Sequence, residues 1–429
     1  MFLLLACTGA PGDSGPVTVP WSPDRPRLVL ELRDRRWRRG IVHLHSPWSH
    51  DACDGRIDED GVFSEECLQD FRDGLCRTGM DFAYVTDHPS HAAYQDYEDT
   101  KLLREGDEDL GHGSRMECGT LLYPGIEDDS MPIGLEEPVP GTAEERYALY
   151  NRSDAESYAA FAEAGALVFQ AHSEGRDLDE LVERSEWGLV GLEIFNLHAM
   201  FAPDKREEDL GLEPFSWVED IGPFVDGDAE PDLLYLAVHQ DQTPSLEHWD
   251  ALSQLRPTVG IAGTDAHQNV LNLELDDGER VDSYRRMVSW FSNWALTEGE
   301  DFDEALSAGR NAVVFELLGV PDALDVHIDS GGDITELGGI ADPGTLHVSC
   351  TGLASTSPRG VEDPEITVAI RRDGAVVAEG CGEHEATTPG VYRVSWSIVP
   401  LHLTDFLTDA EALAERSHPW IHSGAITVR

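Results

Sequence analysis

The chain has 429 residues, 83 of them acidic and 30 basic, for a formal charge of -53, with only two lysines, Lys101 and Lys205. A surface so negative repels nucleic acid and anionic lipid and argues against a role built on phosphate-backbone contacts. With 41% apolar and 8% aromatic residues, the chain has the length for two folded domains and is too apolar for disorder.

The first ten residues, MFLLLACTGA, resemble a bacterial lipobox in which Cys7 is the lipidated residue. A Gly-, Pro- and Ser-rich stretch from Thr8 to Asp24 follows, as in the tether of an anchored protein. On this reading residues 1–24 are a lipoprotein-type signal and linker. The chain is then exported and lipid-anchored, facing the periplasm or the cell surface; the alternative is a cytoplasmic chain with an apolar start. No later stretch approaches the length of a transmembrane helix.

Next comes a basic island, Arg33 to Gly40 (RDRRWRRG), which either steers an anionic substrate or pairs with surrounding acids. Ser64 is placed to cap a helix through Arg77, with Leu68, Phe71 and Leu75 as its buried face and Gly79 beyond its end. Residues 81–86 (DFAYVT) read as a strand running into Asp87-His88. Ser153-x-x-Glu156 reads as a capping box for a helix closing at Gly165, and the strand Ala166–Ala171 ends at His172.

Six cysteines remain besides Cys7. An even number in an exported chain permits disulfides, and Cys350 and Cys381 suit a pair of their own. Cys67 and Cys76, nine apart on one helix, point to opposite faces and should not pair with each other. After about Val320 the texture changes to alternating strands, among them Glu365–Arg372 and Ala375–Glu379 around the hairpin turn Asp373-Gly374, and Val391–Ile398.

Seven apolar runs end on His, Asp or Glu: at His43-Leu-His45, Asp87-His88, Glu127-Asp128, His172, Glu193 to Asn196, His239 to Asp241, and Asp265-Ala-His267. A parallel β/α barrel gathers strand ends of one polarity on one face. Imidazoles and carboxylates meeting there suit a cluster of divalent metals. His43 and His45, two apart on a strand, are expected on the same side. Asp58-x-Asp60-Gly61 resembles the middle of a calcium loop, but Arg56 and Cys67 occupy its flanking ligand positions.

HLH (43–45), HD (50–51), TDH (86–88), GIE (125–127), QAH (170–172) and GTDAH (263–267), in that order, resemble the PHP family of polymerase and histidinol phosphatase metallohydrolases. The resemblance covers residues 40–320. It implies a distorted (β/α)7 barrel over residues 25–320, holding two or three divalent ions of manganese, iron or zinc. The residues matching the family's ligands are His43, His45, His88, Glu127, His172, Asp265 and His267, with His50 or Asp51 as a further one. Three-metal members carry another histidine soon after the glutamate. Residues 128–140 contain none, so His198 or His239 substitutes or the site holds two ions.

Arg39-Gly-Ile-Val-His43-Leu-His45, Pro389-Gly-Val-Tyr-Arg-Val394 and Pro419-Trp-Ile-His-Ser423 are further similar to the family's carbaryl-hydrolase-like branch. That likeness makes residues 321–429 a smaller all-β, sandwich-like domain of the same architecture. The chemistry implied is hydrolysis of a small-molecule phosphoester or related ester by a metal-bridging hydroxide. Asp265 and Asp87 are the candidate catalytic carboxylates, with Asp87 fixing the His88 imidazole or shuttling a proton. Glu193, Asn196, His198 and His239 are candidate substrate contacts. Carbamate or carboxylic ester hydrolysis is the alternative chemistry. A catalytically silent metal-stabilised binding protein is the alternative from another class. A third, an amidohydrolase with a carboxylated lysine, requires Lys101 or Lys205 at the metals.

Overall fold

The computed structural model describes residues 18–55 and 64–429, so Cys7 and the Asp58–Gly61 stretch lie outside the described residues. Seven strands close a barrel: β1 (Arg35–Leu44), β2 (Phe82–Asp87), β3 (Leu121–Ile126), β4 (Met131–Ile133), β5 (Leu167–Gln170), β6 (Gly191–Asn196) and β7 (Val259–Ala266). β1 pairs in parallel with β2 and β7, β2 with β3, β5 with β6, and β6 with β7. β4 is the exception, antiparallel to both β3 and β5.

Six of the seven barrel strands are thus parallel, and the seventh differs from the sequence expectation. The apolar run before His239 is not a strand; residues Pro231–Ala237 form a 3-10 helix. A short run buried on every side has no periodicity to separate strand from helix, and Pro231 at its first turn favours the helix. β6 pairs directly with β7, and the seventh strand is β4, inserted between β3 and β5, three residues with a proline at their centre and too short to read from sequence.

The helix α1 (Glu65–Arg77) is as expected, with the Ser64 side chain accepting from the Cys67 amide and Leu68, Phe71 and Leu75 buried. The cap of α2 (Ala155–Glu163) lies one residue further along than expected. Asp154, not Ser153, is the cap, and its partner is Ser157 rather than Glu156. A carboxylate accepts both the Glu156 and Ser157 amides, which a serine hydroxyl cannot match. Disulfides join Cys53 to Cys67, Cys76 to Cys118 and Cys350 to Cys381. The last is the pair anticipated, and Cys67 and Cys76 take separate partners. Among the described residues no helix is long and apolar enough to cross a membrane.

The barrel opens into the C-terminal half through β1, whose first half pairs with β8 (Ser292–Thr297). The sheet continues antiparallel through β9 (Asn311–Val314), β12 (His418–Ser423), β11 (Gly390–Val399) and β10 (Glu365–Arg372). A second, four-stranded sheet contributes Ile328, Leu346 and Val348 to the same apolar core as Ile370, Val394 and Trp396. The expected hairpin at Asp373-Gly374 is present, with both residues at positive φ.

Conserving this seam falls to the tail segments noted above. Arg393 makes two 2.6 Å contacts to Asp250 on α3 (Thr243–Leu255). Trp420 donates to the Gly319 carbonyl, and the Ser423 hydroxyl accepts from the Val394 amide. At the barrel base, Arg39 reaches Glu316 at 2.8 Å with both side chains fully buried. A side chain at Gly40 would strike the Phe82 ring at 2.1 Å, so β1 and β2 approach here only because the residue is glycine.

Tyr84 on β2 donates to Asp303, whose burial pushes its carboxyl up to about 6 despite that bond. Its folded pKa lies above the unfolded value of about 3.9. Its stabilising contribution is therefore full below pH 4 and lost as pH rises through 6. Relative to the unaltered chain, Asp303→Asn should gain about 2 kcal/mol of stability between pH 4 and pH 8 in urea unfolding. A pH-independent difference would contradict this.

Candidate metal centre

The residues anticipated as ligands meet at the C-terminal ends of the barrel strands. The expected same-side alternation of His43 and His45 is not how they meet. His43 has a left-handed backbone, φ 67°, and the register of β1 slips against both neighbouring strands at that point. The bulge turns the two imidazoles together, with their Nε2 atoms 3.1 Å apart. His172 and Asp265 also sit at φ 50°, so three of the candidate ligands occupy a backbone region that non-glycine residues rarely adopt. Such strain concentrates at functional sites.

Five histidines share one orientation. His43 Nδ1 lies 2.6 Å from Glu193, His45 Nδ1 3.2 Å from the Ser49 hydroxyl, and His88 Nδ1 3.0 Å from the Glu127 carbonyl. His267 Nδ1 is 2.8 Å from the Asp265 carbonyl, and His172 Nδ1 is 3.5 Å from the Glu174 carboxylate. With Nδ1 facing an acceptor, each ring turns Nε2 inward. The His267 Nε2 is buried with no hydrogen-bond partner. Ring nitrogens facing one another and carboxylates in this way need positive charge between them, a proton or a metal, so this donor set fits divalent metals.

The carboxylates complete the set. Asp265 Oδ1 is 3.1 Å from His43 Nε2 and 3.3 Å from His45 Nε2, while its Oδ2 is 3.4 Å from His172 Nε2. Asp51 is 3.4 Å from His267 Nε2 and 3.6 Å from His88 Nε2. Ligand atoms lie within 4.8 Å of one another in four overlapping groups: His45, His88 and His267; His43, His45 and Glu127; His43, His172 and Asp265; and His50, Asp51 and His88. His50 and Asp51 are therefore both at the cluster, with His50 half exposed.

The other anticipated residues fall elsewhere. Glu193 and Asn196 are fully buried beneath the ligands rather than facing substrate. Glu193 accepts from the His172 amide and from the Asn196 side chain while holding His43. A side chain at Gly263 would lie 1.8 Å from the Glu193 carboxylate, which explains a glycine two residues before Asp265. Asp87 accepts from the Ser46 amide and hydroxyl, both at 2.7 Å, and does not orient the His88 ring. Burial pushes its carboxyl up to about 7 against those two bonds. It secures the loop after β1. His239 is buried at the seam, its Nε2 2.8 Å from the Pro419 carbonyl, so neither a metal nor a substrate role fits it. The basic island lies at the opposite end of β1, where Arg33 pairs with Asp325 and Glu336, Arg38 with Asp81 and Arg39 with Glu316. It steers nothing to the metals.

The cluster floors a cavity of about 390 Å3, which Asp128, Asp129, Arg176, His198 and Lys205 also line. His198 is half exposed, its Nδ1 3.6 Å from Asp265 Oδ2. Arg176 contacts Asp129 at 2.6 Å, and Lys205 contacts Asp209 at 2.9 Å. Arg176 was not anticipated from the sequence, where it carries no periodicity or spacing signal, and Lys205 was considered only as a carboxylated metal ligand. Lys101 is held by Asp109 and does not line the cavity, and Lys205 is ion-paired on its wall, so neither supports the carboxylated-lysine alternative.

No family model and no curated protein matches the chain. It is similar to a solved two-domain protein from Bacteroides vulgatus ATCC 8482. That protein is described as containing a predicted PHP-like metal-dependent phosphoesterase. The likeness covers 94% of this chain and 98% of that one, at 12% identity and a TM-score of 0.42. PsfC from Pseudomonas syringae PB-5123 is similar over 60% of this chain and 82% of its own, at 13% identity and a TM-score of 0.35.

The electrostatics couple metal to protons. Burial disfavours charge on His43, His88 and His172. The carboxylates facing them outweigh it, raising His43 well above the usual imidazole range, His88 to about 11 and His172 to about 9. The metal-free cluster therefore holds protons where cations would sit, and binding must displace them. Metal affinity should rise with pH between 6 and 8, with protons released in calorimetric titration. A pH-independent affinity without proton release would contradict the assignment.

Proposed function

We propose that this chain is a metal-dependent hydrolase of small phosphoesters, built on a distorted (β/α)7 barrel of the PHP type over residues 25–320. The observation that carries this reading is the shared orientation of five histidines, each with Nδ1 held by the protein and Nε2 turned to a common centre. The ordered ligand motifs along the sequence support it.

His43, His45, His88, His172, His267, Glu127, Asp265 and Asp51 would hold two or three ions. Bound there, divalent ions such as manganese, iron or zinc supply Lewis acidity and a water acidic enough to attack at neutral pH. The rest falls to the chain. Arg176 and Lys205, paired with Asp129 and Asp209, are the two Arg/Lys cations on the cavity wall among the described residues and would meet the oxygens of an anionic ester drawn in by the metals. His198, at the cavity and in reach of Asp265, is placed to give a proton to the departing oxygen. Residues 321–429 brace the barrel through Arg393 and Trp420.

The test is a panel of phosphomonoesters, phosphodiesters and aryl carbamates offered to the metal-loaded protein. Turnover of a phosphoester, lost on chelation, is expected. Turnover of carbamates alone would replace the phosphoester assignment with the alternative ester chemistry. Failure on the whole panel with metal bound would leave a metal-stabilised binding protein.

A further inference from the structure

Glu174 follows His172 on a single 3-10 turn, Ser173–Gly175, and is 4% exposed. Neither carboxylate oxygen has a hydrogen-bond partner, and the polar side chain in ion-pair reach is His172, whose Nδ1 lies 3.5 Å from Oε1. The turn is closed in by the one π-helical turn among the described residues, Lys205–Asp209, with the Asp209 carboxylate packed against Gly175. π-turns of this kind recur at functional sites.

A buried carboxylate with so few partners lowers stability, so packing gives no reason for its presence. Its position relative to His172 does. On the far side of that ring, Nε2 faces Asp265 at 3.4 Å and Glu127 at 3.7 Å. Nε2 can serve a metal only if the proton stays on Nδ1, and the carboxylate facing Nδ1 is that of Glu174, 3.5 Å away. His172 also sits in a strained left-handed conformation.

We infer that Glu174 is a positioning residue: its carboxylate fixes the Nδ1–H tautomer and ring direction of His172 and so sets the affinity of the metal group that His172 shares with His43 and Asp265. This rests on the metallohydrolase reading. It adds a residue that no ligand motif contains. Partners of this kind, acting through a ligating imidazole, typically account for about 10- to 100-fold in metal affinity.

The experiment compares the full chain with Glu174→Gln and Glu174→Asp, each stripped of metal, by calorimetric titration with manganese and by thermal unfolding. Glu174→Gln should bind manganese about 10- to 100-fold more weakly at one of its sites, with Glu174→Asp recovering part of the loss. Metal-free Glu174→Gln should unfold at the same temperature as the unaltered chain or higher, since a buried charge has been removed. Unchanged affinity in Glu174→Gln overturns the inference. So does a lower unfolding temperature of the metal-free variant, which would mark a structural role. If the unaltered chain binds no manganese, zinc or iron, the metal centre itself fails, and that outcome is distinct from unchanged binding in the variant.

Discussion

Asp265→Asn should lower turnover by about a thousandfold, corresponding to about 4 kcal/mol of transition-state stabilisation. It should also weaken metal binding. The carboxylate has one oxygen 3.1 Å from His43 Nε2 and 3.3 Å from His45 Nε2 and the other 3.4 Å from His172 Nε2, so it touches three of the ligand imidazoles. An amide keeps the shape but loses the negative charge and one of the two acceptor oxygens. Steady-state kinetics of the variant, with its metal content measured on the same sample, checks this. Turnover within tenfold of the unaltered chain would remove Asp265 from the centre. A folded variant with fewer ions and no turnover is the expected pattern.

The second large effect is on stability and lies at the other end of the barrel. Glu316 is fully buried and pairs with Arg39 at 2.8 Å and Arg25 at 3.2 Å, while also accepting from Trp294 at 3.0 Å. Glu316→Ala strands the buried Arg39 guanidinium without its counter-charge and should destabilise the chain by about 3–5 kcal/mol. The double change Arg39→Met with Glu316→Leu should recover much of that loss, because it removes both charges from the interior. Denaturant unfolding of the three proteins decides the matter. A loss under about 1 kcal/mol in Glu316→Ala would show that water reaches the pair. The same contact explains why an arginine precedes Gly40: it ties the barrel base to the segment leading into the C-terminal strands.

The candidate ligands were legible because each apolar run stops on a ligand-type residue, and a barrel gives such ends a common face. His43, His45, His88, Glu127, His172, Asp265 and His267 all arrive where that pattern puts them. What lies behind the ligands was not legible. Glu193 and Asp87 end apolar runs just as the ligands do, yet one supports His43 from below and the other secures Ser46. Composition at a strand end does not say which way a side chain turns, and the bulge at His43 changes that direction locally. His239 misled for a related reason. Its run of buried apolar residues is helical, which carries the imidazole to the seam with Pro419. The basic island was correctly seen as a cluster, but its distance from the site follows from strand polarity: Arg33 precedes β1, Arg35 to Arg39 begin it, and His43 and His45 lie at its end.

The most direct measurement is elemental analysis of metal per chain, after reconstitution with manganese, iron or zinc, for the unaltered protein and for Asp265→Asn combined with His267→Ala. Two or three ions per chain, falling in the double variant, is the expected result. No ion above trace in the unaltered protein, whichever metal is supplied, would contradict the metal centre and the hydrolase built on it.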